Sequence, residues 1–304
     1  MPASPPPRPP ALVVLNARSG AGCGPEQAQQ LRELFAAAGL PAEVLLAEDG
    51  SALMAGTERA LAAGTRLVVA AGGDGTQSAV ASCLAGTDAV QGVLPLGTLN
   101  HFAKDLGIPL KLEDAVRTLA EGRVLQVDVG EVNGRVFINN SSLGLYPQIV
   151  RERELQQLRL GKSKWRALAS AALHATEGRP ALAVRVAVGG QQGARRTPFV
   201  FVGNNRYTME GFRIGNRDSL QRGELALYVG RRQGRLGMVW LALRALAGRL
   251  EQDRDFEMVT GTGFEVDTHD ARMRVATDGE VTMMDTPLRY RVRPAALRVM
   301  VPAG

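Results

Sequence analysis

The chain has 304 residues, more than a single hydrophobic core usually serves, so two domains are the default expectation. Its 45% hydrophobic and 22% charged residues are those of a folded globular protein and exclude a fibrous or low-complexity one, and no apolar run is long enough to cross a bilayer. The net charge of +6 suits an anionic partner, whether polyphosphate, nucleic acid or an acidic lipid surface, although the richness in Arg and Ala is global and part of the charge is compositional. Residues 1–10, MPASPPPRPP, are a proline-rich arm expected to be disordered, and the start does not read as a signal peptide. Cys23 and Cys83 lie far apart without metal-ligand spacing, which fits a reducing cytosol.

Residues 12–15 predict a short apolar strand, followed by Asn16-Ala17-Arg18-Ser19-Gly20 and a helix entered at Pro25. Leu31, Leu34, Phe35 and Ala38 line one face of that helix, and Gly39 ends it. A strand over 44–46 precedes a helix for which Ser51 is the N-cap candidate and which runs to Gly64. Residues 67–84, LVVAAGGDGTQSAVASCL, open on a buried-strand run and break at Gly72-Gly73-Asp74-Gly75-Thr76. Ala79, Val80, Cys83 and Leu84 then recur at helical spacing, with Gly86 as the stop. Three glycines around one carboxylate let the backbone approach a bulky ligand with its N–H groups outward, and a helix N-terminus favours negative charge. The natural guest is a phosphate, although the loop has neither the Lys-Ser/Thr ending of a P-loop nor the pattern GxGxxG. A fourth strand over 90–96 leads into Gly97-Thr98-Leu99-Asn100 and a helix over 101–106.

Strands alternating with helices predict a parallel α/β sheet, in which ligands bind beyond the carboxyl ends of the strands. The loops 16–24, 72–76 and 97–100 all occupy such ends, so they are expected to line one edge and face one ligand. Near Asp128 the texture changes. Strand-like runs over 127–132 and 135–139 flank Asn133-Gly134, a two-residue hairpin signal. Further runs over 182–188, 198–203, 224–229, 272–276, 288–292 and 297–301 predict a mainly antiparallel β half. Two basic amphipathic stretches, 151–176 around Trp165 and 235–250 around Trp240, interrupt it as helices. Such helices either pack an apolar face on the sheet or lie on an anionic membrane.

Together, NARSG at 16–20, GGDGT at 72–76, PLGTLNHFAKDLGIP at 95–109, DVGEVNGRVFINNSSLG at 128–144 and DGE at 278–280 resemble the diacylglycerol kinase catalytic-domain family. Its wider superfamily includes sphingosine and ceramide kinases, NAD kinases and phosphofructokinases. The resemblance runs from about residue 11 to 301. It implies an ATP-binding, Rossmann-like α/β domain over 11–127 and a β-sandwich lipid-substrate domain over 128–293. It further implies a final strand over 294–304 that returns to the first domain, and an active site in the interdomain cleft.

By the same resemblance Asn16, Ser19, Gly20, Gly72, Gly73, Asp74, Gly75 and Thr76 hold the nucleotide, completed by Gly97, Thr98 and Asn100. Asp74 also manages the Mg²⁺ that accompanies ATP, and Asp278 or Glu280 activates the lipid hydroxyl. Glu280 is preferred, because the aspartate of a D-G turn tends to bond its own backbone. The implied partners are a lipid substrate and a peripheral anionic membrane, with no nucleic acid, a cytoplasmic location and a homodimer left open.

Three departures from the family stand out. His101 follows Asn100 where many relatives have Asp, and Asn16-Ala17 replaces Asn-Pro. Arg222 stands where relatives usually have an Asp that serves a structural Mg²⁺ site, so that site is expected to be lost, with Arg222 pairing Asp218 or Glu224 instead. Two alternatives stay open: an NAD kinase-like enzyme, since GGDGT is shared, and a lipid-sensing module with weak catalysis.

Overall fold

The computed structural model describes residues 10–17, 23–144, 182–188, 191–197, 199–210, 213–230 and 256–303. The arm at 1–9, Ser19, Gly20 and the stretches 151–176 and 235–250 lie outside the described residues. The chain divides into two compact units, Met1–Val129 with Ala295–Gly304, and Gly130–Pro294.

The first unit is an α/β layer structure. In chain order it contains β1 (Ala11–Asn16), α1 (Pro25–Ala37), β2 (Ala42–Ala47), α2 (Gly50–Ala62), β3 (Leu67–Gly72), α3 (Asp74–Leu84), β4 (Val90–Pro95), α4 (His101–Asp105) and α5 (Leu112–Glu121). The strands β2, β1, β3 and β4 lie side by side and pair in parallel, and Arg298 and Val299 near the chain's end continue the sheet in parallel beside β4. β1, β3 and β4 are almost wholly buried, as their largely apolar sequences require of central parallel strands. Helix α1 enters with Pro25 after Gly24 and buries Ala28, Leu31 and Phe35.

Two elements differ from expectation here. Helix α2 is capped by Asp49, whose carboxylate accepts the Ala52 N–H at 2.8 Å, rather than by Ser51, which lies inside the first turn. Helix α5 was not expected, although Leu112, Ala115, Val116 and Leu119 have helical spacing and the last three are buried.

The second unit is an antiparallel β structure. β5 (Arg123–Val132) runs into it from the first unit, followed by β6 (Arg135–Phe137), β7 (Asn140–Gly144), β8 (Leu182–Val188), β9 (Gln191–Thr197) and β10 (Phe199–Asn204). Then come β11 (Tyr207–Glu210), β12 (Arg213–Arg217), β13 (Leu225–Gly230), β14 (Phe256–Gly261), β15 (Gly263–Thr268), β16 (Arg272–Thr277), β17 (Glu280–Asp285) and β18 (Leu288–Val301). One six-stranded sheet has the order β14-β13-β10-β7-β16-β17, and β9-β8-β15 with the first half of β18 forms a facing layer. Leu143, Val200, Val202, Leu227 and Val275 of the six-stranded sheet share one core with Phe264, Val266, Leu288 and Tyr290. Within it the Ser141 and Tyr290 hydroxyls hydrogen-bond at 3.1 Å. Asn133 and Gly134 both take positive φ, the geometry of the tight turn their dipeptide signalled. The runs 288–292 and 297–301 form one strand, β18, rather than two.

Candidate functional site

The glycine loop follows β3 directly. Gly73 is the N-cap of α3, and Asp74, Gly75 and Thr76 form the first turn, whose N–H groups have no acceptor within the helix. Asn16, the last residue of β1, donates its side-chain amide to the Thr76 hydroxyl at 3.0 Å. Asp74 reaches across to the loop after β4: its Oδ2 accepts the His101 N–H at 3.2 Å and its Oδ1 the Phe102 N–H at 3.1 Å. The carboxylate therefore caps α4. The backbone N–H that position 101 gives to Asp74 is one that His supplies as well as Asp would.

The two loops also touch at their glycines. A methyl group built on Gly97 would stand 2.4 Å from the Gly73 Cα and 2.9 Å from the Asn100 Oδ1, so no side chain fits there. Asn100 holds the turn in left-handed conformation (φ 51°); its Oδ1 accepts the Gly97 N–H at 3.0 Å and its Nδ2 donates to the Gly97 carbonyl at 2.8 Å. That amide is an internal brace of the loop, and Thr98 beside it is exposed. Gly75 behaves differently. It does not have positive φ, and among the described residues a Cβ on it would meet nothing within 4 Å. Neither packing among the described residues nor backbone strain requires glycine at this position.

Beneath the loop, Gln77 is buried and donates to the carbonyls of Ala70 at 2.9 Å and of Gly72 and Leu94 at 3.4 Å, tying the ends of β3 and β4 to α3. Gln91 braces it through bonds to the Gln77 carbonyl and Oε1 at 3.0 and 3.1 Å. Sequence reasoning missed this pair. Its only signal was two amides inside otherwise apolar runs.

The carboxylates at 278–280 belong to the second unit. Asp278 (φ 48°) and Gly279 (φ 86°) form the hairpin turn between β16 and β17. The Asp278 carboxylate accepts three backbone N–H groups: Ile138 at 2.7 Å, Asn139 at 2.8 Å and Asn140 at 2.9 Å. It thus bonds a segment 138–140 residues earlier in the chain. Glu280 opens β17, is 58% exposed and pairs with Arg135 at 2.6 Å. The expected pairing of Arg222 is corrected: Glu224 bonds Arg206 at 2.7 Å, and the Arg222 backbone N–H donates to Asn205 Oδ1 at 3.1 Å. Arg206 makes a second bond to that carboxylate, from its Nη2 to Glu224 Oε2 at 3.4 Å.

The comparisons with known proteins follow this division. The family model described as diacylglycerol kinase catalytic domain matches residues 10–132. The one described as YegS C-terminal NAD kinase beta sandwich-like domain matches residues 144–301. Two curated relatives named "Probable lipid kinase YegS-like", from Yersinia pestis (strain Pestoides F) and Yersinia pseudotuberculosis serotype O:1b (strain IP 31758), are 41% identical over 86 residues. That stretch is 27% of this chain and 29% of each relative, so the match spans under a third of their length. Among solved structures, a diacylglycerol kinase from Bacillus anthracis str. Sterne superimposes with a TM-score of 0.67 at 19% identity, covering 96% of both chains. Another from the same organism reaches 0.74 at 21%, covering 96% of this chain and 97% of that one. At those identities the likeness is one of fold.

Proposed function

The chain belongs to the family of the diacylglycerol kinase catalytic domain with a YegS-type C-terminal sandwich, and on that premise we propose that it transfers the γ-phosphate of ATP to a hydroxyl of diacylglycerol or a related lipid. The observation that carries this reading is the joined glycine edge, in which Asn16, Thr76, Asp74 and Gly97 interlock while Gly75 is left open. Phosphoryl transfer asks mainly for positioning and charge stabilisation, and a rigid set of N–H groups at a helix terminus supplies both.

Asp74 fits a place beside Mg²⁺. Each of its oxygens accepts one N–H, which leaves each a lone pair. Among the described residues no group of three or more His, Cys, Asp and Glu side chains could hold a metal alone, so phosphate oxygens would complete the coordination. When bound, Mg²⁺ neutralises charge on the β- and γ-phosphates. Of the two carboxylates at the turn, Glu280 suits the acceptor proton better, because three N–H groups already occupy the Asp278 oxygens. Arg135 holds the Glu280 carboxylate in place.

The lipid would be reached from an anionic membrane surface on the cytoplasmic side. Residues 151–176 and 235–250, with Trp165 and Trp240 among their basic side chains, are the proposed contacts. No helix of the described residues is long and apolar enough to cross a membrane. The test is a phosphorylation assay with Mg²⁺-ATP across diacylglycerol, phosphatidylglycerol, sphingosine, ceramide and NAD. Labelled lipid supports the reading. Labelled NAD instead favours the NAD kinase-like alternative, and lipid binding without label favours the sensing module.

A further inference from the structure

The corner between β6 and β7 is made by Ile138 and Asn139, both buried, and a buried backbone must find partners for every N–H and C=O. On one side stands the Asp278 carboxylate, accepting the N–H groups of Ile138, Asn139 and Asn140, while the Asp278 N–H donates back to the Asn140 carbonyl at 2.9 Å. On the other side stands Arg217, only 5% exposed. Its Nη1 donates to the Ile138 carbonyl at 2.6 Å and the Asn204 carbonyl at 3.1 Å, and its Nη2 donates to Asn139 Oδ1 at 2.9 Å. The peptide group joining Ile138 to Asn139 therefore carries a guanidinium on its oxygen and a carboxylate on its N–H.

We infer that Arg217 and Asp278 form an ion pair relayed through this one peptide group, and that Arg217 is thereby a positioning residue for the Asp278-Gly279-Glu280 turn. The peptide dipole lies with its negative end on the cation and its positive end on the anion, so each charge strengthens the other's hydrogen bond. Charge-assisted bonds of this kind are roughly twice as strong as neutral ones. The relay also gives a buried cation the compensation that burial demands. The surroundings hold the guanidinium to one pose. It lies 5.3 Å from the Tyr207 ring centroid, and the Tyr207 hydroxyl donates to the Asn139 carbonyl at 3.0 Å. Asn204 adds bonds from its N–H to the Asn139 carbonyl at 2.9 Å and from its Nδ2 to the Ile138 carbonyl at 3.0 Å. A planar fork that reaches two carbonyls and an amide oxygen is a task for Arg and not for Lys.

The relay is independent of the chemistry; only the positioning role rests on the phosphotransferase reading. In the full chain, urea unfolding of Arg217→Met, Asp278→Asn and the double variant forms a cycle. The expected result is that the double variant's loss in the unfolding equilibrium falls short of the product of the single losses by about tenfold or more, which is about 1.4 kcal/mol of coupling. Losses that simply multiply overturn the relay. Should Arg217→Met not fold, Arg217→Lys keeps the charge and volume but not the fork. In that variant the backbone N–H groups of Asn139 and Asn140, which bond Asp278 and not Arg217, are expected to exchange hydrogen at least about tenfold faster. Unchanged exchange overturns the relay as well. For the positioning role, Arg217→Lys is expected to lower lipid turnover about tenfold at unchanged KM for ATP, and unchanged turnover overturns it. If the wild-type chain labels no lipid, the proposed function fails, while the cycle and the exchange rates still decide the relay.

Discussion

Gly75→Ala separates stability from ligand binding within one residue. The position lies in the first turn of α3 without positive φ, and an added methyl group meets no described atom within 4 Å. Replacing glycine by alanine where the backbone tolerates it narrows the unfolded ensemble and favours the helix, a gain of about 0.4–1 kcal/mol. The thermal midpoint is then expected to rise by roughly 1–4 °C for a chain of this size. Nucleotide binding should move the other way, because the methyl group occupies the space where a phosphate would approach the α3 N–H groups. An increase of at least about tenfold in the Kd for Mg²⁺-ATP is expected, about 1.4 kcal/mol, measured by calorimetry beside a thermal melt. Gly97→Ala is the contrasting control. There the methyl group would stand 2.4 Å from the Gly73 Cα, so the two loops must part, and stability is expected to fall by about 1–3 kcal/mol or more. A Gly75→Ala protein that is more stable and binds ATP as the wild type does would refute the phosphate cradle.

Asp74→Asn loses one of the two N–H acceptances at α4, and stability is expected to drop by about 1–2 kcal/mol while turnover falls roughly 100-fold or more; wild-type turnover in the folded variant contradicts the role. Burial holds the Tyr290 hydroxyl well above its ordinary pKa of 10.0, so above that pH the unfolded state releases a proton that the folded state retains, and stability should fall as pH rises. Tyr290→Phe is expected to flatten that alkaline limb in urea titrations, at a cost near 1–2 kcal/mol at neutral pH for leaving the Ser141 hydroxyl without this partner. Vesicle sedimentation should show binding to anionic vesicles that weakens with salt, each basic side chain near the surface contributing on the order of 1 kcal/mol, and equal binding to neutral vesicles at every salt concentration contradicts it.

The parallel half was legible because its chemistry is local. Residues 11–16, 67–72 and 90–95 are largely apolar without alternation, and the loops after them declare themselves by glycine and asparagine. The convergence of these loops followed from topology, and the bond from Asn16 to Thr76 and the contact of Gly73 with Gly97 realise it. The antiparallel half was less legible. β9, QQGARRT, has no alternation to read, and its place comes from backbone pairing with β8. β17 carries exposed Val281 and Met283, so its pattern alone does not announce which face is inward. At the candidate site, the turn at Asp278-Gly279 was readable from the dipeptide, but its carboxylate's partners lie 138–140 residues earlier in the chain. Arg217 gave no sign either, since a lone arginine in a polar stretch reads as solvated, and only the fold buries it.

The most direct measurement of the proposed activity follows the label in ATP. Folded protein is incubated with Mg²⁺ and diacylglycerol in anionic vesicles, using ATP labelled at either the γ- or the α-phosphate, with NAD as a competing acceptor. Radioactivity in the lipid phase from γ-labelled ATP alone, reduced at subsaturating ATP in Gly75→Ala and strongly reduced in Asp74→Asn, is the expected result. A lipid phase without label at every diacylglycerol concentration, or label recovered on NAD, contradicts the assignment of this chain as a lipid kinase.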